Sequence, residues 1–496
     1  PSPPPQKLGC LFSIESILAG LILTACAPQT IVQTQIVTQP AQVVVETKEV
    51  PVTQIVSPTD APQTDRVQIY WYIGLGAGSQ PAQIEPEKAF VDKFNKSQTE
   101  IQLIPIIVDN KYASDNLTAQ IAAGNAPDIV GPVGTEGRAS FPGQWLDLEP
   151  LVAQFNYDTS DIDPAFLDFY KVEGKLEGLP FAIYPSVLYF NRALFDEAGL
   201  AYPPQKVGDK YTLDGKEVEW NMDTLAQVAE RLTVDAKGND ATQTGFDPKS
   251  IAQYGFDFQW VRDNPRWYTA YFQPYYPVKD GQADISAGMR AGMQWYYDGI
   301  FGPQPFAPDQ AAIDSDLLGK GNTFGSGHVA MALTHSWYTC CIDPKVITSW
   351  DIGVVPSYDG KTTAKMHGDT FAIMTASKHP AEAFKVYTYM LGEGSAELYP
   401  IYGGLPARKS QQTAFFDTLS ATFAPNKVDW QVALDMIPLL DVPNHQLGLP
   451  NNAKSNDAWL KLGSDLRTTP GLDVNKRIDE FISDWNTVLA EPDAGN

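Results

Sequence analysis

Basic residues are in short supply: 35 Lys and Arg stand against 59 Asp and Glu in 496 residues, a formal net charge of −24. Binding a phosphate backbone needs the opposite balance, so a nucleic-acid partner is excluded. Cysteine is scarcer still, with four in the chain. Two of them, Cys10 and Cys26, lie near the N-terminus, and the body holds only the adjacent pair Cys340-Cys341. The fold is therefore not a disulfide scaffold. Neighbouring Cα atoms sit about 3.8 Å apart across a trans peptide, below the usual disulfide span, so a Cys340–Cys341 bridge would be strained, and two free thiols are the alternative. Histidine is sparse and scattered, with no HExxH or CxxC spacing, so no metal site and no cofactor is expected. The histidines His328, His335 and His367 are the ones that could approach one another and the cysteine pair in space. Internal repeats are absent.

What is present begins at the N-terminus. Lys7 precedes an apolar run from Ile17 to Leu23, followed by Leu23-Thr24-Ala25-Cys26. A short apolar segment ending in small residues reads as a secretory signal, too short to span a membrane. Its end resembles the lipobox of bacterial lipoproteins. That resemblance implies a signal peptide over 1–25, an acylated Cys26 and a membrane anchor through that lipid. Residues 27–66 are rich in Thr, Val, Gln and Pro and contain no aromatic residue. Such composition reads as a disordered tether, and forty flexible residues span roughly 35 Å.

The remaining chain is too long for one ordinary core, so two or more domains are expected. Val67–Ile73 reads as a strand followed by Gly74, Gly76 and Gly78. The third glycine of a dinucleotide-binding loop is missing, so these glycines carry little weight for a nucleotide. A helix near Glu85–Asn95, a strand over Ile101–Val108, a helix over Leu117–Ala123 and a strand from Pro127 follow. This alternation is the α/β pattern of a parallel sheet, whose ligands bind beyond the carboxyl ends of the strands. Trp71 to Ser79 and Thr135-Glu136 are thereby crevice residues.

Gly178–Leu200 reads as one long strand passed on to a helix that Asn191 caps and Gly199 closes. Pro180 and Pro185 lack backbone donors, which predicts an edge or kinked strand. Tyr211–Trp220, with Asp214-Gly215 at its centre, reads as a β-hairpin, and Asp223 as the cap of a helix ending at Leu232. Asp235–Asp240 lacks the spacing of a calcium loop and reads as a turn. Ten aromatic residues crowd the stretch from Tyr254 to Tyr276.

Four stretches, in order, resemble the extracellular solute-binding proteins of ABC importers, in the carbohydrate-binding group that includes maltose-binding protein. They are Leu117–Val130, Gly178–Leu200, Gly327–Trp337, and Gly368–Leu391 with Gly404–Ala407 after it. The resemblance spans roughly residues 67–490. It implies an α/β, two-lobed periplasmic-binding-protein fold of type II with a ligand cleft between the lobes. Lobe 1 would be 67–185 plus 372–405, and lobe 2 would be 190–367 plus 410–490. It also implies a monomer outside the cytoplasm, a carbohydrate ligand, an ABC permease partner and no catalysis. The family's frequent Gly-Gly before the second crossing strand is His367-Gly368-Asp369 here.

A sugar offers hydroxyls and apolar ring faces, so its receptor needs flat rings and a few hydrogen-bonding groups. The stacking candidates are Trp337, Trp71, Tyr184, Trp260 and Trp267. The hydrogen-bonding candidates are Asp369, Glu136 and Arg408. Two other readings stand beside this one. The first is the same fold binding a polyamine or peptide, with an anionic ligand disfavoured by the few Arg near the expected site. The second is a secreted glycoside hydrolase, for which no facing carboxylate pair can be placed.

Overall fold

The computed structural model describes residues 30–39, 42–51 and 65–492. The expected signal peptide and Cys26 lie outside the described residues. Thr30–Gln39 and Gln42–Pro51 form an antiparallel ladder. These segments lie within the stretch expected as a tether, and their Val, Ile and Thr residues are ones that suit strands.

The main body begins with strand β1 (Val67–Ile73), helix α1 (Pro81–Ser97), β2 (Ile101–Ile107), α2 (Asn110–Ala122), β3 (Ile129–Val133) and α3 (Thr135–Ala139). The long strand β4 (Leu179–Asn191) leads into α4 (Arg192–Ala198). Then come α5 (Met222–Leu232), β5 (Ile251–Asp257), α6 (Pro265–Thr269), α7 (Ala287–Phe301), β6 (Val329–His335), β7 (Trp350–Gly353) and β8 (Met366–Ile373). Helices α8 (Pro380–Leu391), α9 (Ser395–Tyr402), α10 (Lys409–Thr422), α11 (Asn452–Thr468) and α12 (Val474–Leu489) complete the main elements. Among the described residues no helix is long and apolar enough to cross a membrane.

One mixed sheet runs in the order β5-β6-β4-β8-β3-β1-β2, with β7 also pairing to β4. The pairs β1–β2, β1–β3 and β5–β6 are parallel, and β4 is antiparallel to β6, β7 and β8. Strand β4 changes partners along its length. Leu179 to Pro185 pair with β8, and Ser186 to Phe190 pair with β6. Its side chains change cores at the same place. Leu179 to Tyr184 pack into a core with β1, α1, α8 and α9, whereas Val187 to Phe190 pack into one with α5, α7, α11 and α12.

The prolines did not make β4 an edge strand. All thirteen of its residues are buried. Pro180 sits opposite the register shift between Asp369 and Thr370, and Pro185 sits where the ladder passes from β8 to β6. The missing donors fall where the ladder is already irregular, which lets a central strand carry them.

Local signals place several elements as the sequence predicts. Asn191 accepts from the Ala193 amide, and Gly199 closes α4 in the left-handed region at φ 65°. Asp214 and Gly215 take φ 51° and 73° in the hairpin turn between Tyr211–Leu213 and Lys216–Val218. The cap of α5 is Asn221, whose side chain accepts from Thr224, rather than Asp223. The Asp235 carboxylate accepts from the amides of Lys237, Asn239 and Asp247, which makes it the organiser of a turn.

Candidate functional site

Where β4 passes between the two cores, four rings form one continuous stack. Trp260 lies on Trp337 with centroids 5.5 Å apart and planes 14° from parallel. Trp337 lies on His335 at 5.8 Å and 24°, and His335 on His445 at 5.5 Å and 20°. These residues come from four segments: the loop after β5, the 3-10 turn after β6, the end of β6, and the loop before α11. Trp337 packs against both cores. His367 approaches the stack obliquely, 5.8 Å from His335 and 5.6 Å from Tyr184.

Trp260 has φ 59°, a left-handed value that is costly for a bulky side chain. Its neighbours hold it there. Gln259 accepts from the Thr323 hydroxyl at 2.6 Å and the Phe324 amide at 3.1 Å. Arg262 pairs with the buried Asp257 carboxylate, which also accepts from the hydroxyls of Tyr296 and Thr323. The loop is pinned on both sides of Trp260, and its ring is aimed at Trp337.

Polar groups frame the stack. His367 contacts the Asp369 carboxylate through Nε2 at 3.0 Å and Gln446 Oε1 through Nδ1 at 2.9 Å. Both contacting atoms are acceptors, so the ring can donate through either nitrogen and through both when it is protonated. Burial opposes that charge, but the Asp369 charge and hydrogen bond outweigh it and raise the pKa above the ordinary histidine value. The Tyr184 hydroxyl donates to Asp369 at 3.4 Å. Glu136 on α3 accepts from Asn456 at 2.9 Å. Burial raises its pKa, and the charges of Arg266 and His367 oppose the shift. A Cβ added to Gly134 would stand 2.7 Å from His367 Cε1, so this glycine makes room for the imidazole.

Near the stack two ionisable groups, Asp441 and Lys365, are buried and feel each other electrostatically without a direct ion pair. Asp441 accepts from His445 Nδ1 at 2.8 Å, from the Met366 amide at 2.8 Å and from the His445 amide at 2.7 Å. Burial pushes its pKa up to about 7. Lys365 is fully buried with its Nζ over the Tyr271 ring at 4.7 Å, and burial brings its pKa down to about 7. Burial, then the Lys365 charge, lowers the pKa of His335 and His445 well below the ordinary value. Lys365 Nζ, both ring nitrogens of His335, and the hydroxyls of Thr334 and Ser336 are buried without a protein partner. Buried polar groups ordinarily have partners, so this floor can offer hydrogen bonds to a bound molecule or to water.

Five of the candidate residues, Trp337, Trp260, Glu136, Tyr184 and Asp369, fall in this cluster. Trp267 lies beside Arg266 on α6 and packs against the second core, its indole N–H buried and without a protein acceptor. Trp71 is a correction. It is fully buried between Phe90 and Phe371, and its indole donates to the Gly131 carbonyl at 2.7 Å. The sheet around β1 is covered on both faces, with Trp71 and Ile73 in one core and Tyr72 in another, so the end of this strand leaves no ring free. Arg408 is a second correction. Its guanidinium lies over the Tyr157 ring and donates to the Tyr157 hydroxyl and the Asp158 carbonyl, none of which touches the stack.

Sequence reasoning missed His445, Lys365, Arg266, Gln446 and Asn456. Of the three histidines singled out there, His335 and His367 meet each other, and their partner is His445 rather than His328. Among the described residues no group of three or more His, Cys, Asp or Glu is arranged to hold a metal ion.

Comparison with known proteins places this geometry in context. Residues 89–424 match the family model of bacterial extracellular solute-binding proteins. Among solved structures, the chain is similar to an ABC substrate-binding protein of Listeria monocytogenes in complex with cycloalternan. The two share 17% identity and a TM-score of 0.66, over 86% of this chain and 100% of that one. It is similar to UspC of M. tuberculosis at 20% identity and a TM-score of 0.64, over 85% of this chain and 100% of that one. It is also similar to a Thermus thermophilus maltotriose-binding protein bound with maltotriose, at 16% identity and a TM-score of 0.58, over 85% and 100%. No curated protein matches the chain.

Proposed function

The chain belongs to the bacterial extracellular solute-binding proteins, and on that premise we propose that it captures a sugar or oligosaccharide outside the cell and delivers it to an ABC permease by lobe closure. The observation that carries this reading is the Trp260–Trp337 pair, framed by hydrogen-bonding groups from both cores. Flat rings suit the apolar faces of a sugar, and the amides, carboxylates and imidazoles suit its hydroxyls. The solved relatives bound with cycloalternan and maltotriose lend support, since they share the fold. In this reading β4 and β8 are the crossings between lobe 1 (67–185 plus 372–405) and lobe 2 (190–367 plus 410–490). The partner change and the core change along β4 support that division. The ligand-binding residues are Trp260, Trp337, Tyr184, Glu136 and Asp369, with Trp267 at the margin. Cys26 carries the lipid anchor, the protein acts as a monomer, and no catalysis is assigned.

A thermal-shift screen of the full chain tests the substrate class, using maltotriose, mannotriose and acarbose against spermidine and a short peptide. A ligand at a hundred times its Kd adds about 2.7 kcal/mol of stability. A response to a sugar and none to spermidine or peptide is expected. A response to spermidine alone would replace the sugar with a polyamine, and consumption of the glycan would point to a hydrolase.

A further inference from the structure

Cys340 and Cys341 are free, and they end the 3-10 turn Ser336–Cys341 that carries Trp337. Cys340 is exposed and stands on the wall of a mostly apolar cavity of about 490 Å³, lined also by Tyr399, Phe415 and Leu419. A small reagent therefore has a route to Cys340, and Cys341 beside it is half-buried. The two side chains are neighbours in the chain and perturb each other, with Cys341 the more acidic of the two. Neither sulfur pairs with another cysteine among the described residues.

The segment around the pair is tied to the ring stack. Asn322 donates to the Cys341 carbonyl at 2.9 Å and accepts from the Tyr338 hydroxyl. The Tyr338 ring meets Trp260 at 5.2 Å, edge to face. A Cβ on Gly403 would lie 3.5 Å from the Trp337 carbonyl and 3.9 Å from Cys340 Cβ, so the turn is closely backed on that side. A change of backbone at residues 340–341 has little room to dissipate before it reaches Trp337.

We propose that Cys340 and Cys341 form a vicinal dithiol that small-molecule disulfides oxidise reversibly to an eight-membered ring, and that ring closure shifts Trp337 in the stack. The Cys341 thiolate attacks one sulfur of the external disulfide. The external S–S bond breaks, and the first small thiolate leaves with the electron pair and takes up a proton. The Cys340 thiolate, having given its proton to solvent, then attacks the Cys341 sulfur of the mixed disulfide. The Cys340–Cys341 bond forms and the second small thiolate leaves. Two protein thiols are oxidised while one external disulfide is reduced to two thiols.

The order of attack follows the acidity of the pair: interaction with its neighbour lowers the Cys341 thiol, whereas that interaction and burial raise Cys340, so Cys341 is the readier nucleophile. The strain expected of a bridge between neighbours makes the closed form easy to reduce, which is the property of labile rather than structural disulfides. The family's place outside the cytoplasm supplies a compartment in which such exchange occurs. This site does not depend on which solute the cleft takes.

The test uses the full chain, first reduced with dithiothreitol and desalted, then treated with oxidised glutathione. Intact mass and peptide mapping are followed together with tryptophan fluorescence. The expected product is a peptide carrying Cys340 and Cys341 that has lost two hydrogens, with a change in tryptophan emission that dithiothreitol reverses. Cys340→Ser and Cys341→Ser each give a glutathione adduct or no reaction at this peptide, and no emission change. Trp337→Phe keeps the mass change but loses most of the emission change. Stable glutathione adducts on the wild-type pair, without internal closure, would overturn the proposal. An emission change that persists in Trp337→Phe would overturn the link to the stack.

Discussion

Trp260 and His335 both stack on Trp337, with centroid separations of 5.5 Å and 5.8 Å. A sugar that stacks on Trp337 therefore competes with a ring already there. The Trp260 backbone, held at φ 59°, keeps that ring in place.

Substitution separates the rings that serve the site from those that serve the core. Trp337→Ala is expected to weaken binding of the responding sugar by tenfold or more, about 1.4 kcal/mol, while calorimetry finds the fold little changed. Trp71→Ala removes a fully buried ring and is expected to cost about 3–5 kcal/mol of stability. If Trp337→Ala unfolds the protein instead, Trp337 belongs with the core.

Gly134 offers a steric test of the opposite wall. Its φ of −82° suits any residue, so alanine adds no backbone strain there. The added methyl would sit 2.7 Å from the His367 ring and displace it from Asp369. Gly134→Ala is expected to reduce sugar affinity by tenfold or more without loss of helix content. Isothermal titration with circular dichroism reads both quantities, and unchanged affinity would remove His367 from the site.

The His367–Asp369 pair sets a pH dependence. Its folded pKa lies above the ordinary 6.5, so the pair's stabilisation is fully present below that value. It is lost as pH rises through the folded pKa. Histidine NMR of the labelled protein is expected to show His367 titrating above 6.5, and Asp369→Asn is expected to bring it down. A midpoint unmoved by Asp369→Asn would contradict the assigned contact.

Glu87 on α1 supplies a second dependence, of opposite chemistry. It is fully buried and accepts from the Tyr402 hydroxyl at 2.8 Å, with its other oxygen unpartnered. Burial raises its pKa from 4.5 to about 8, against the lowering effect of that hydrogen bond. Across this window the unfolded chain is ionised while the folded one holds its proton, so stability falls as pH rises. Glu87→Gln removes the titration. Between pH 5 and pH 8 the wild type is expected to lose up to a few kcal/mol more stability than the variant in denaturant melts. Parallel curves for the two proteins would place Glu87 in water.

The sequence by itself determined the elements whose causes are local. Asn191 and Gly199 bound α4, Asp214-Gly215 turns its hairpin, and the apolar run from Phe181 fixes a long strand, because caps, turns and strand periodicity act over a few neighbouring residues. The family followed from several such pieces in order. Only the tertiary structure decided which aromatic residues reach the site. Trp71 and Trp337 both stand at or near the end of a strand, yet one is sealed between Phe90 and Phe371 and the other lies at the junction of two cores. The difference comes from sheet coverage on both faces of β1, which depends on helices distant in sequence. For the same reason His445 was missed. It meets His335 from 110 positions further along the chain, and only the packing of the loop before α11 against β6 brings the two rings together.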